Sequence, residues 1–188
     1  DNKTFAIVTG QQTGIFLGAL YTIYKTITAI KLSNELNKRF TDKYFIPVFW
    51  MEGEDHDLNE ANSISILNSE NKLYKHQYLP SGKEGEGNIE AVGEIILDFL
   101  FNDYADTIFS SISKTEFSGK VQSIFSENYK DGKTFSTSFA SLMNNLFPNS
   151  GLVFIYPNDK RLKKILTPVF RKELETYPYT SQLIIEQS

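Results

Sequence analysis

Apolar and polar positions along this chain follow two different periods. Residues 5–8 are a short apolar, β-prone run, the pattern of a strand buried on both faces of a parallel sheet. Gly10, Gly14 and Gly18 then recur every four residues. From Leu20 onward, Leu20, Ile23, Tyr24 and Ile27 keep the i, i+3, i+4, i+7 spacing of an amphipathic helix. We expect that helix to run from about residue 18 to 39 or 40. Residues 44–51 are nearly all apolar and read as a second strand, with Pro47 near its start or at a bulge. Strand, glycine-rich loop, helix and strand make a right-handed βαβ unit.

The pattern continues less regularly. Residues 62–68 and 72–79 read as short strands paired in a hairpin. Residues 80–88 hold three glycines with mixed charge and read as a flexible loop. Val92, Ile95, Ile96 and Phe99 suggest a helix over 89–101, and further helices are expected over 104–112 and 119–129. A helix over 134–147 should turn Phe135, Phe139, Leu142 and Leu146 inward, ending at Pro148-Asn149-Ser150-Gly151. Residues 152–156 read as a buried strand. Pro157-Asn158-Asp159 then opens a last helix with the stripe Leu162, Ile165, Leu166, Val169 and Phe170, kinked at Pro168. Lys160, Arg161, Lys163, Lys164, Arg171 and Lys172 fall on its outer, solvated face. The alternation argues for a three-layer α/β fold with a mostly parallel sheet. We divide it into a first half of the core (1–67), a variable, partly helical connecting segment (68–133) and a continuation of the core (134–188).

Composition narrows the function classes. The 188 residues carry a net charge of −4, which argues against a general nucleic-acid or anionic-membrane binder. The absence of cysteine removes disulfides, thiolate nucleophiles and Cys-ligated metals, and is compatible with a cytoplasmic home. No apolar run approaches the roughly 20 residues needed to cross a bilayer. The chain opens on a strand and stops just after Ile184-Ile185, so we expect a piece of a longer protein.

Two polar clusters carry the candidate chemistry. Thr9, Gly10, Gln11, Gln12, Thr13 and Gly14 follow the first strand, at the edge where open α/β sheets bind ligands. Glycines there let backbone N–H groups approach an anion. The spacing is neither G-x-G-x-x-G nor G-x-x-x-x-G-K-[ST], so neither standard phosphate-binding mechanism applies. Lys25 lies one turn after Tyr21, on a face distinct from the apolar stripe, either solvated or pointing along the cleft. After the second strand, which carries the only tryptophan, Trp50, come Glu52, Glu54, Asp55, His56, Asp57 and Glu60. Five acidic residues and a histidine within nine positions could do acid–base work, hold Mg²⁺ for a nucleotide or orient an amine. The plainer reading is a helix start capped by Asp55 or Asp57, with Glu60 completing a capping box. Because both clusters follow parallel strands, we expect them to open into one pocket.

Known metal and hydrolase patterns fail. Asp55, Asp57 and Asn59 begin like a calcium loop, but Glu60 and Ile66 stand where glycine and glutamate are required. Two histidines, His56 and His76, cannot build a three-His zinc site, and no G-x-S-x-G elbow occurs. No metal ligand set is assigned.

Thr9-Gly10-Gln11-Gln12-Thr13-Gly14 with Leu20-Tyr21-Thr22-Ile23-Tyr24-Lys25, then Pro47-Val48-Phe49-Trp50 and Gly53-Glu54-Asp55-His56-Asp57, closely resembles the bacillithiol biosynthesis cysteine-adding enzymes, a family of cysteine ligases. A weaker match covers residues 134–174, and 68–130 match poorly. The chain departs from the family pattern at Ala19, where proline is usual, and at Glu52, where a small residue is usual. The resemblance implies a Rossmann-like core similar to nucleotidyltransferases and class I aminoacyl-tRNA synthetases. It also implies a longer protein with a coiled-coil region outside this piece, and leaves a homodimer of the full-length protein open. The implied reaction joins cysteine to the glucosamine amine of glucosaminyl malate, with ATP or ADP as candidate nucleotide and Mg²⁺ as a further candidate.

On that resemblance, Thr9, Gly10, Gln11, Gln12, Gly14, Tyr21, Trp50 and Glu54 would line the ligand cleft. Lys25 would offset anionic charge, Asp55 or Asp57 would hold an ammonium or a metal, and His56 would take the proton of the attacking amine. The piece alone is expected to be inactive. Two alternatives stay open at this point: a nucleotidyltransferase-like enzyme with another acceptor, and a non-catalytic nucleotide-binding scaffold.

Overall fold

A computed structural model describes residues 2–82 and 90–187. It forms two compact units divided between Tyr156 and Pro157. Most of the loop expected over 80–88 lies outside the described residues.

The first unit is organised on a parallel sheet. Strand β1 (Thr4–Gln12) runs alongside β2 (Tyr44–Glu52) in unbroken register, from Thr4 opposite Tyr44 to Gln12 opposite Glu52. On the far side of β2 lies the short β5 (Val153–Ile155), giving the order β1-β2-β5. Both long strands therefore outrun the apolar segments that announce them. Gly10 makes this possible: a side chain there would meet the Trp50 carbonyl oxygen at 2.6 Å. Pro47 is not at a bulge. It sits inside the continuous register opposite Ile7, and β5 engages β2 only from Val48 onward, so the missing N–H removes no bond to β5.

Phe5 and Val8 remain 44% and 59% exposed, so β1 is not buried on both faces as its apolar run suggests. Among the described residues β1 pairs with β2 alone and stands at the sheet's edge. Val153 of β5, at the opposite edge, is exposed for the same reason.

Helix α1 (Tyr21–Arg39) joins β1 to β2, with Lys38 and Arg39 in its last turn, where cations suit the helix dipole. Its buried face is Thr22, Thr26, Ala29 and Ser33; Leu20 and Tyr24 of the expected stripe are exposed. Small side chains let the helix lie close on the sheet, and polar atoms fasten it there. Ser33 Oγ donates to the Phe45 carbonyl at 2.5 Å, and the Asn37 side chain both donates to and accepts from the Phe45 backbone at 2.7 Å. Each hydrogen bond of this kind contributes about 1 kcal/mol net.

After a single turn of helix, α2 (Leu58–Ala61), strands β3 (Ser63–Leu67) and β4 (Leu73–Gln77) form the expected antiparallel hairpin. The Asn68 side chain closes its turn by accepting from the amides of Glu70 and Lys72.

The described part of the segment expected as a helix over 89–101 is mostly extended. Val92–Glu94 forms a 3-10 turn, and regular helix begins at Leu100. Ile95 and Leu97 are buried while Ile96 is exposed, a period of two, and Ile96 bridges Thr134. Backbone pairing with residues 133–135 holds this form: Leu97 N–H donates to Lys133 O and Phe135 N–H to Ile95 O, and of the four apolar positions at helical spacing Val92 and Ile95 are buried while Ile96 and Phe99 are exposed.

Helices α3 (Leu100–Ser111), α4 (Ser118–Asn128) and α5 (Phe135–Leu146) follow. Thr134 and Thr137 form a reciprocal capping box at the start of α5. Phe135, Phe139 and Leu142 are fully buried, as their spacing requires, whereas Leu146 is 39% exposed. With Phe49, Met51, Tyr78, Phe101 and Tyr129 they make one core. Burial of each such side chain is worth roughly 1.5–3 kcal/mol.

The second unit contains α6 (Lys160–Thr176) and α7 (Tyr179–Gln187), the latter without a clear signal in the sequence. Asp159 caps α6 by accepting from Arg161 N–H at 2.8 Å, and the Arg161 side chain bonds back. Those bonds hold the Asp159 carboxyl at about 2. Ile165, Val169 and Phe170 are exposed. Among the described residues no helix is long and apolar enough to cross a membrane.

Candidate functional site

In-register parallel strands end together. Gln12 lies opposite Glu52, so the two polar clusters that follow β1 and β2 meet at one rim of the sheet. The contact is direct: Gln12 Nε2 donates to Asp55 Oδ2 at 2.9 Å. Thr13 N–H continues the ladder by donating to Glu52 O at 2.9 Å.

Gln11 and Gln12 are the last two residues of β1 rather than loop residues. Neighbouring strand residues point to opposite faces, and the two glutamines part accordingly. Gln11 Oε1 accepts from Lys25 Nζ of α1 at 2.9 Å, while Gln12 turns to Asp55. Lys25 also lies 5.3 Å from the centre of the Tyr21 ring, a cation–π distance. The strand end thus has a cationic side and an anionic side.

The acidic segment is ordered by its own hydrogen bonds. Glu52 Oε2 accepts from Trp50 Nε1 at 3.2 Å and Oε1 from Glu54 N–H at 3.0 Å, which folds the chain back after β2. Asp55 Oδ1 accepts from Asp57 N–H, and Asp57 Oδ1 caps α2 by accepting from Glu60 N–H, both at 3.1 Å. Capping therefore accounts for Asp57, as the plainer sequence reading has it. Asp55, His56 and Asp57 are exposed, and Glu54 is half-buried. Among the described residues no three His, Asp or Glu side chains are grouped to hold a metal ion. The segment is braced from the middle of the chain, where Val92 N–H donates to Asp55 O at 2.8 Å and Gly93 N–H to Gly53 O at 2.9 Å.

A cavity of about 800 Å³ opens beside this rim. Gln11, Gln12, Gly14 and Tyr21 line it, with Glu60, Ser63 and Ser65 as further polar groups and Phe16, Ile64 and Phe125 among its apolar walls. None of its lining residues among those described is cationic. A smaller groove of about 340 Å³ runs between β1 and α1, lined by Thr9, Tyr21 and Lys25 with Val8 and Tyr24. The expected site residues thus divide: Gln11, Gln12 and Gly14 face the large cavity, Thr9 and Lys25 the groove, and Tyr21 both. Gly10 and Trp50 form the paired strand backbone between them. Glu54, Asp55, His56 and Asp57 line neither, so the two clusters meet at the rim through the Gln12–Asp55 bond without opening into the single pocket expected of them.

The turn after Gly14 is unusual. Phe16 and Leu17, in a 3-10 turn (Ile15–Leu17), have φ of 49° and 71°, a left-handed conformation that costs non-glycine residues of order 1–3 kcal/mol. The Phe16 ring sits against Phe101, Tyr104, Phe109, Phe125 and Tyr129 at 4.9–6.3 Å. The buried Tyr129 hydroxyl donates to Gly14 O at 2.9 Å and accepts from Leu17 N–H at 3.4 Å. Burial pushes that phenol far above its ordinary value, so it stays protonated and able to donate.

Glu52 and Glu60 belong to the acidic cluster expected on sequence but carry no assigned role there, and Phe16 and Tyr129 are absent from it. Phe16 and Tyr129 carry no local signal, because their significance comes from contacts across more than a hundred residues.

Comparison with known proteins agrees with this architecture. The family model for the bacillithiol biosynthesis BshC N-terminal Rossmann-like domain matches residues 1–188. A protein of Chloroherpeton thalassium named "Putative cysteine ligase BshC" is 37% identical over 188 residues, covering 100% of this chain and 33% of its own length. One of the same name from Salinibacter ruber is 38% identical over 175 residues, covering 93% and 31%. Another, from Bacillus cereus, is 30% identical over 177 residues, covering 94% and 32%. The chain thus spans about a third of the length of the curated relatives it matches. On its sheet, its rim and these matches, the chain belongs to the BshC family of bacillithiol biosynthesis, in the part that forms the N-terminal Rossmann-like domain.

Proposed function

We propose that this chain supplies the substrate-binding rim of a ligase that joins the carboxylate of cysteine to the glucosamine amine of glucosaminyl malate. The observation that carries the reading is the separation of charge at the end of β1. Lys25 with Gln11 offers donors to an anion on the α1 side, and Asp55 with Gln12 offers acceptors to an amine on the other. Amide formation needs both, since one reactant arrives as a carboxylate and the other as an amine.

Each residue then has a task. Lys25 offsets the negative charge of a carboxylate or phosphate. Asp55, held in place by Gln12, orients an ammonium or amine. His56, on the exposed turn between Asp55 and Asp57, takes the proton that the amine loses on forming the amide. Asp57 keeps that turn in shape by capping α2. Gly10, Gly14 and Thr9 bring backbone close to the ligand, and Tyr21, Trp50 and Glu54 shape the walls around it.

ATP, when bound, supplies the leaving group that makes a carboxylate reactive toward an amine, and Lys25 is the residue suited to its phosphates. Among the described residues no three His, Asp or Glu side chains group to hold a divalent metal, and no step is assigned to Mg²⁺.

The test uses the full-length protein with cysteine, glucosaminyl malate and ATP, following the amide product by mass spectrometry. The wild type should form product, and Asp55→Asn and His56→Ala should lower its rate by at least about a hundredfold, the usual size of an acid–base contribution. Absence of product from the wild type overturns the reaction. Wild-type rates in both variants overturn the roles given to the acidic turn. Analysis of the AMP or ADP released identifies which bond of ATP is broken.

A further inference from the structure

We infer that Tyr129 is a positioning residue for ligand binding at the rim, holding the strained 14–17 turn in its left-handed form and thereby fixing the wall that Gln12 and Gly14 give the large cavity. This rests on the reading of that rim as the substrate site.

Three observations converge. The turn follows directly on Gln12, and Gly14, Phe16, Leu17 and Gly18 all line the 800 Å³ cavity. Two consecutive non-glycine residues in the left-handed region persist only where their surroundings over-determine them. Tyr129 is the group that spans the turn. Its one hydroxyl takes the carbonyl at the entry, Gly14, and the amide at the exit, Leu17, so neither can leave its place alone.

Tyr129 has no direct access to a ligand. It is 1% exposed, caps the end of α4, and is absent from the cavity lining. Its ring packs 5.3 Å from Phe16 and 5.9 Å from Phe101, and a phenylalanine at 129 would keep that packing. The hydroxyl is therefore separable from the core. Without it, Gly14 O and Leu17 N–H, both on buried residues, lose a shared partner, and the turn can relax toward ordinary backbone.

The experiment compares full-length wild type, Tyr129→Phe and Val48→Ala. The last is a change at a buried position of β2, outside the core cluster that holds Ile15 and Leu17, and serves as a control for lost stability. Hydrogen–deuterium exchange of peptides covering residues 13–21 reads the turn directly. Steady-state kinetics with cysteine, glucosaminyl malate and ATP read the site.

Tyr129→Phe should speed exchange in 13–21 at least tenfold. It should also raise KM for one substrate at least fivefold with kcat within twofold. Val48→Ala should do neither. Wild-type exchange in Tyr129→Phe overturns the lock, whatever the activity. Faster exchange with an unchanged KM, or an equal change in Val48→Ala, overturns the positioning role. Failure of the proposed reaction is a separate result, since it shows as missing product from the wild type.

Discussion

Replacing Gly93 with alanine tests how tightly the middle of the chain grips the acidic segment. A Cβ on Gly93 would lie 2.3 Å from Ser136 Oγ, 2.8 Å from Gly53 Cα and 2.9 Å from Gly53 O. The first contact involves a side chain, but the other two are backbone and cannot rotate away. Ordinary contact with Gly53 Cα, near 3.4 Å, requires a retreat of about 0.6 Å. Such a retreat stretches the Gly93 N–H bond to Gly53 O from 2.9 Å to about 3.5 Å, beyond useful range. The neighbouring bond from Val92 N–H to Asp55 O shares the same turn.

Overpacking of this kind costs about 1–3 kcal/mol. One lost hydrogen bond adds about 1 kcal/mol. Gly93→Ala should therefore destabilise the chain by about 2–4 kcal/mol, or roughly 4–15 °C in Tm at this length. Urea unfolding followed by the fluorescence of Trp50, the one tryptophan, measures it, with a lower midpoint and an unchanged slope. Adding Ser136→Gly should recover only part of the loss, because the Gly53 backbone remains in the way. A Gly93→Ala variant within about 0.5 kcal/mol of wild type would refute the reasoning. Full recovery on adding Ser136→Gly would refute the backbone part of it.

Three further outcomes are expected. Asp57→Ala should lose about 0.5–2 kcal/mol with the α2 cap, while Asp57→Asn, which keeps the acceptor, should lose only a few tenths; equal losses in urea titrations would contradict the capping role. Gly119→Ala, near the start of α4 where nothing lies within 4 Å of a new Cβ, should gain up to about 1 kcal/mol, and a loss by the same measurement would mean that position is not open. Asp98 is partly buried, which opposes its ionisation, but hydrogen bonds from Ser81 N–H, Tyr78 Oη and Leu100 N–H outweigh this and lower its pKa. Its carboxylate therefore stabilises the fold above the unfolded value of about 3.9, and that contribution is lost as pH falls through the lower folded value. The stability gap between wild type and Asp98→Asn should narrow below about pH 4, and a gap constant from pH 7 to 3 would contradict the assignment.

Local pattern carried the skeleton of this domain. The apolar runs locate β1 and β2, helical spacing locates α1 and α3–α5, and the parallel βαβ rule brings Gln12 and Asp55 to one rim. It fell short where distant partners decide. Gly10, Gln11 and Gln12 are weak strand formers, yet they extend β1 because β2 lies beside them in register. Residues 95–97 carry helical spacing but extend to pair with the segment before α5. The chemistry was readable as a cluster of residue types, but its division into a Lys25 side and an Asp55 side was not. That division follows from two glutamines being the last residues of a strand rather than members of a loop. The Tyr129 hydroxyl lies 115 residues from its acceptor and left no mark on the local pattern.

The face of α1 made of Thr22, Thr26, Ala29 and Ser33 works as a spacer of fixed thickness between helix and sheet. Lys25 rides on that helix and Gln11 on the sheet, so the thickness sets how far the ammonium must reach. Enlarging Ala29 to leucine would lift the helix and draw the charge back from the strand end. The small side chains of that face thereby calibrate the reach of Lys25.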